Sequence, residues 1–430
     1  MIVLAAQPFS RLFRMSTGSS QQPGRQVLLL AVILVGLGVV MVYSSSSALA
    51  SDRFDDSGFF LERQVFRALA GLVLMFVVAR VPLTVLQYLA RPLLLIGLAL
   101  LVLVLAFGEG KGAQRWLPFS LPLSVTMSFQ PSEFVKLALV LYLADVLVRK
   151  EERIGEWASG LAPRLAVIVV AQCLILMQPD LGTAVAIGLI SFAVLWLGGA
   201  GSLHLAATAL AAVPVVAISL YHSPYQLQRV LSYFRESNPL TDGFQITQSL
   251  LAFGSGGLVG VGLGNSMQKH FLPEPHTDFV FALVGEELGL AGTLSVIGLF
   301  AALSIHGYRI ALSASTHHGF LVAAGTTLMI CVYAVLNMGV VTGLVPTTGL
   351  PLPFISYGGA SLMWNLCGIG ILVSVARDGV RAQAGHSSHS VPGRSGFSWR
   401  AFRRRHFSGS GGLTPSAGCR KAAESPRNLD

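Results

Sequence analysis

Residues 27–43 read VLLLAVILVGLGVVMVY, an unbroken apolar run without one charged side chain. A helix needs roughly 20 apolar residues to cross the hydrocarbon of a bilayer. Further runs of this kind follow at 68–85, 93–107, 134–148, 165–177, 181–197, 203–220, 288–305, 320–345 and 362–376. They are too long and too numerous for the core helices of a soluble domain. The expected fold class is therefore an all-α polytopic membrane protein with about ten transmembrane helices. The run at 27–43 is followed by Ser44, Ser45, Ser46, Ser47, Ala48, Leu49 and Ala50, small residues of the kind found at a leader cleavage site. A first span weighs more, because the apolar run exceeds the roughly 7 to 15 residues of a signal peptide.

The chain has 430 residues, of which 53% are hydrophobic and 11% charged, and its mean hydropathy is +0.67. Lys and Arg near the span ends favour the side of the N-terminus, which places both termini in the cytoplasm by the positive-inside rule. This gives an N-terminal segment 1–26, a membrane domain 27–376 with a large extracytoplasmic loop at 221–287 between helices 7 and 8, and a tail 377–430. Most of the net charge of +9 sits in that Ser, Gly and Arg-rich tail. Basic charge confined to a tail expected to be disordered argues for anionic lipid or a docking partner rather than for nucleic acid. Cys173, Cys331 and Cys367 fall in spans and Cys419 in the tail, so free thiols are expected, with no metal cage.

Four segments break the apolar pattern, and the even topology puts all four on the outer side. Residues 108–136 end in QPSEFVK, where Pro131 suits a first helical turn and Glu133 and Lys136 share one face. A structural ion pair with Lys136 snorkelling outward fits, and so does a counter-charge for an anionic group. Residues 178–183 read QPDLGT, in which Asp180 suits a helix cap. The loop 221–287 carries Arg229, Gln248 in NPLTDGFQITQS, and the run GSGGLVGVGLG. That glycine run lacks the spacing of a dinucleotide or phosphate loop. It suits close backbone packing or re-entry at the membrane surface. The loop ends in NSMQKHFLPEPHTDFVFALVGEELGLAG at 265–292, which gathers Lys269, His276, Thr277, Asp278, Glu286 and Glu287. Ionisable groups beside a bilayer are costly and mark a functional site. The fourth segment, VPTTGLPLPFISYGGAS at 345–361, is a fixed proline and glycine loop presenting Ser356 and Tyr357.

The ordered set QPSExxK, QPDLGT, FLPExHTDFxFAxxGEELG and PTTGLPLPFISYGG resembles the SEDS family of bacterial cell-wall glycosyltransferases, from the first span to about Arg377. The GLGNSMQK lead-in is more similar to the division branch than to the elongation branch. The resemblance implies polymerisation of lipid II outside the cytoplasmic membrane at the septum. It also implies a class B penicillin-binding protein of the FtsI type and other divisome membrane proteins as partners. The family's acidic catalytic residue maps onto Asp278, with Glu133 and Lys136 as a polar pair beside it. Independently, a carboxylate at the mouth of a semi-dry cavity suits a base that deprotonates an acceptor sugar hydroxyl. The leaving pyrophosphate needs charge compensation, for which Lys136, Arg229, Lys269 or a divalent cation such as Mg or Mn are available. Two readings from other classes stand beside this one, a lipid II flippase and a non-catalytic division scaffold.

Overall fold

The computed structural model describes residues 22–108, 115–120, 126–149, 157–234 and 243–388. Most of the N-terminal segment, the charged stretch at 150–156, Arg235, the NPLTD stretch and the tail beyond Ser388 lie outside the described residues. All ten expected spans coincide with helices. They are α1 (Gln22–Phe54), α2 (Phe59–Arg80), α3 (Leu83–Phe107), α4 (Pro131–Arg149), α5 (Ala162–Met177), α6 (Leu181–Leu197) and α7 (Ser202–His222), followed after the large loop by α10 (Val280–Ser313), α11 (His317–Val341) and α12 (Gly359–Ser388). Among the described residues, six of these are long and apolar enough to cross a membrane by themselves. The short α5 and α6, and the charge-bearing α2 and α4, complete the set.

Helix starts follow local chemistry. Asp180 caps α6 by accepting from the Thr183 N–H at 3.2 Å, and Thr316 caps α11 by accepting from the Gly319 N–H at 3.0 Å. Pro131 opens α4, where its missing N–H costs nothing. The serine run after residue 43 continues α1, and Ser46 donates back to the Val42 carbonyl at 2.6 Å.

The bundle has a centre and a rim. In α4 nearly every side chain from Pro131 to Asp145 is buried, and α11 and α12 are buried along most of their length. In α7 Leu205 is the buried side chain, and Leu203, Leu210, Val213 and Ile218 face outward as lipid-facing residues do. α2 lies along α12, with Gly71 against Leu366 and Gly370 against Met75 and Val78. Arg67 of α2 is buried beneath the ring of Tyr357 and beside Gly359.

The large loop is more structured than its composition suggested. It holds α8 (Pro224–Phe234), α9 (Phe244–Gly256) and a single turn at Gln268–His270. A short antiparallel hairpin, β1 (Leu117–Ser120) with β2 (Thr126–Phe129), precedes α4, pairing Leu117 with Phe129 and Ser120 with Thr126. The helix α10 is broken at Gly289, whose φ of 66° and ψ of −161° are closed to other residues. The exposed backbone groups at that break are met by the glycine loop. Leu290 and Ala291 donate to the carbonyls of Gly257 and Leu258 at 2.9 and 3.1 Å, and Val261 and Gly262 donate to those of Glu286 and Glu287 at 3.0 Å. A Cβ at Gly289 would collide with the backbone of Gly260 and Leu258. Close backbone packing is thus what the glycine run provides.

Candidate active site

One end of the bundle collects the C-terminal part of α1, the N-terminal ends of α2, α4, α6, α10 and α12, and the C-terminal end of α11. The four irregular segments meet there. The Gly182 turn at the start of α6 packs against Thr348 of the proline loop, and the Tyr357 N–H donates to the His276 carbonyl at 2.8 Å. Phe60 of α2 packs its ring against both His276 and Tyr357, with centroids 4.7 and 5.3 Å away.

Asp278 stands in the last turn before α10. Its carboxylate lines a cavity of about 230 Å³ together with Arg229, Gln245, Glu274, Asn337, Thr347 and Gly349. A larger cavity of about 630 Å³ shares Arg229, Gln245, Glu274 and Thr347, and adds Arg53, Lys269 and His270. The two are therefore adjacent and share a wall, with the carboxylate in the smaller chamber and most of the cations around the larger. Burial raises the Asp278 carboxyl to about 6; Arg229 opposes the rise, Glu274 adds to it, Arg115 opposes and Asp180 adds. Among the described residues no side chain donates a hydrogen bond to this carboxylate. Gly349, with φ of 70°, passes so close that a Cβ there would sit 3.4 Å from Asp278 Oδ2 and 3.8 Å from Arg229 Nη1.

Asn337 of α11 fixes this arrangement. Its Nδ2 donates to the Asp278 carbonyl at 2.9 Å and to the Leu350 carbonyl at 2.7 Å. Two carbonyl acceptors require the amide nitrogen on that side. One buried side chain thereby ties the Asp278 turn to the proline loop.

The other residues singled out from the sequence fall into distinct settings. Glu133 and Lys136 pair at 2.6 Å deep in the bundle, where Lys136 Nζ lies 3.9 Å from the Tyr333 ring centre and 3.5 Å from Asn365 Oδ1. Neither lines the two cavities. Arg229 lines both, and Lys269 lines the larger while donating to the Gly264 carbonyl at 2.7 Å. His276 is buried; burial holds its imidazole below the ordinary value, Glu274 at 3.7 Å opposes and Arg53 reinforces. Thr277 closes its own turn by donating to the Glu274 carbonyl at 2.9 Å. The Ser356 hydroxyl accepts from the Leu352 N–H at 2.8 Å, inside the proline loop. Gln248 lines neither cavity, whereas Gln245 on the same helix lines both.

Glu286 accepts from the Ser266 hydroxyl and from the Met267 and Gln268 N–H groups, and Glu287 accepts from Ser44 of α1 at 2.5 Å. These two carboxylates hold the loop together. Asp180 takes Gln130 Nε2 at 3.3 Å and lies 3.9 Å from Arg115, which donates to the carbonyls of Gln178 and Pro179. Sequence reasoning passed over Asn337, Gln245, Arg53 and Thr347. Asn337 carried a usable signal, since a lone amide inside an apolar span is itself costly.

The bundle and this chamber define a polytopic membrane protein with a partly protonatable carboxylate at one mouth, beside a cation-rimmed cavity and accepting no side-chain hydrogen bond among the described residues. The chain belongs to the FtsW/RodA/SpoVE family, whose "Cell cycle protein" description matches residues 25–380. It is 41% identical over 355 residues to a probable peptidoglycan glycosyltransferase FtsW of Trichlorobacter lovleyi, covering 81% of this chain and 92% of that protein. It is 39% identical over 366 residues to the stage V sporulation protein E of Bacillus subtilis, covering 84% and 99%. Among solved structures, a chain from work on the structural coordination of polymerization and crosslinking by a peptidoglycan synthase complex superposes with a TM-score of 0.68. That chain is 31% identical, with 82% of this chain and 97% of the other covered. The rod shape determining protein RodA of Thermus thermophilus superposes with a TM-score of 0.61 at 30% identity, covering 82% and 96%.

Proposed function

We propose that this protein is a peptidoglycan glycosyltransferase that polymerises lipid II into glycan strands during septal wall synthesis, with Asp278 as general base. The observation that carries the assignment of the base is the Asp278 carboxyl itself, raised to about 6 and lining a cavity that shares a wall with a larger cationic one. At neutral pH such a carboxylate is mostly ionised yet more basic than an ordinary aspartate, which suits proton abstraction. It takes the proton of the acceptor sugar hydroxyl as that oxygen attacks the donor's anomeric carbon. The bond from that carbon to the pyrophosphate oxygen breaks, and its electron pair leaves with the pyrophosphate. A single displacement inverts the anomeric centre.

Charge compensation for the leaving group falls to Arg229, Arg53 and Lys269, which line the larger cavity. Lys136, already matched by Glu133, acts as an internal counter-charge in the bundle. Among the described residues no three His, Cys, Asp or Glu side chains group as a metal cage. Glu274, an exposed carboxylate lining both cavities, would hold a Mg or Mn ion together with the donor's phosphate oxygens, since such ions commonly take one or two carboxylates plus substrate phosphate. Bound there, it would add positive charge opposite the leaving pyrophosphate.

The reaction is placed at the outer face of the bacterial cytoplasmic membrane, at the division septum, with a class B penicillin-binding protein and other divisome membrane proteins as partners. The family membership and the likeness to a chain of a peptidoglycan synthase complex support this setting. The test is to incubate the purified protein and its penicillin-binding partner with lipid II and to resolve the products as a glycan ladder. A ladder from the wild type and none from Asp278→Asn is expected. Native-rate polymerisation by Asp278→Asn would remove the base. Translocation of labelled lipid in vesicles with no polymer formed would replace polymerisation by transport.

A further inference from the structure

We infer that residues 243–268 form a re-entrant element whose tip, Leu258 and Val259, is seated in the acyl-chain region of the lipid leaflet beside α10. No residue from Gly243 to Gln268 is charged or a histidine, although Asp242 precedes the stretch and Lys269 follows it. The chain descends as α9, turns through the glycine loop, and returns to the rim of the large cavity at Lys269.

Three observations place the tip in lipid. Leu258 and Val259 are 74% and 83% exposed, on irregular backbone where a water-facing loop would carry polar side chains. Their neighbours on α10, Leu290, Leu294 and Ile297, are outward-facing apolar residues at helical spacing, so the tip extends the lipid-facing stripe of a span. The part of α10 beyond Gly289 rises about 1.5 Å per residue and is long enough to cross a hydrocarbon layer of about 30 Å. Leu258, whose carbonyl accepts from Ala291, is therefore level with the first turn of that crossing helix.

Non-helical backbone survives at that depth only when its polar groups are satisfied by protein. Here they are. Gly260 N donates to the Gly256 carbonyl at 2.8 Å, and the ladder to Glu286, Glu287, Leu290 and Ala291 meets the groups of the loop and of the broken helix together. The element is thus built as a membrane insert. It sets the cavity rim at a fixed depth, because Glu286, in the same ladder, also holds the Ser266 to Gln268 turn that leads to Lys269.

The test needs the full chain in vesicles, without partner or lipid II. In a background with Cys173, Cys331, Cys367 and Cys419 changed to serine, Val259→Cys carries a small fluorophore. Leu294→Cys serves as the lipid-facing reference and Asp56→Cys as the water-facing one. The Val259 probe should be quenched by phospholipids with nitroxides on the acyl chains to the same degree as the Leu294 probe, and left unquenched by aqueous iodide. Quenching by iodide, or protection from both quenchers, would overturn the inference. A second measurement leaves the cysteines in place: a benzophenone amino acid at 259, irradiated in the same vesicles, should yield a phospholipid adduct by mass spectrometry. Crosslinking only to protein, or no adduct at all, would count against a lipid-seated tip.

Discussion

Two aspartates at opposite ends of the bundle show how placement decides what a carboxylate does. Asp145, near the C-terminal end of α4, is fully buried and completely partnered. Arg149 Nε lies 2.6 Å from one oxygen, Arg91 Nε 3.2 Å from the other, and Gln87 adds a third contact at 3.0 Å. Asp278 has cations in its surroundings but accepts no side-chain hydrogen bond among the described residues, and it lines a cavity. A carboxylate compensated by its own protein holds helices together. One left for an incoming group to approach is available for chemistry.

The contrast breaks most sharply at the two aspartates themselves. Asp278→Asn should lower the rate of glycan polymerisation by about 10²–10⁴-fold, the usual contribution of a general base, with the melting temperature in micelles at neutral pH raised rather than lowered, since a carboxyl pushed up by burial costs stability when ionised. Asp145→Asn should do the reverse. Because Arg91 and Arg149 are half-exposed, the loss is about 1–3 kcal/mol of stability rather than the full cost of an unpaired buried charge. Activity per folded molecule should remain.

Asn337→Leu, nearly isosteric, removes the tie between the Asp278 turn and the proline loop. Misplacing the base should reduce kcat by about 10–100-fold, while KM for lipid II stays near the wild-type value. Gly289→Ala should cost about 1–3 kcal/mol, because the backbone there is open only to glycine; thermal melting reads it directly.

The smallest effects are shifts of the pH profile. Asp278 must be ionised to act, so activity should fall as pH drops through about 6 rather than near 4. Arg229 holds that value down, so Arg229→Gln should move the acid limb to higher pH. Glu274 holds it up, and Glu274→Gln should move the limb lower. An acid limb that stays in place in both variants would detach it from Asp278.

The spans were legible because a bilayer demands long apolar runs, and even α2 and α4, with their charges, kept enough of them. What the apolar pattern missed was everything held by backbone. The helices α8 and α9 lie in a polar, glycine-rich loop; α8 does repeat apolar residues at Leu227, Val230, Leu231 and Phe234, but too briefly to stand out as a span, and the β1 and β2 hairpin is too short to show alternation. Within the site, Asp278, Arg229 and Lys269 stood out as charges in an uncharged chain. Gln248 and Gln245 differ by less than one helical turn, and no pattern in the sequence says which of them faces the cavity. Ser356 was expected to present its hydroxyl and Thr277 to belong to the site, yet each is engaged in closing its own turn. Asn337 acts through two main-chain carbonyls, one in each loop, and main-chain partners leave no trace in the identity of side chains.

The packing of α2 along α12 bears on how the protein is made. The second span leaves the ribosome long before the last, so Arg67 enters the bilayer well ahead of Tyr357 and Gly359, the groups that later cover it. A guanidinium at the end of a span is costly while nothing shields it. Nascent chains that stop short of the final helix therefore leave this cation without the cover that Tyr357 and Gly359 give it in the finished bundle.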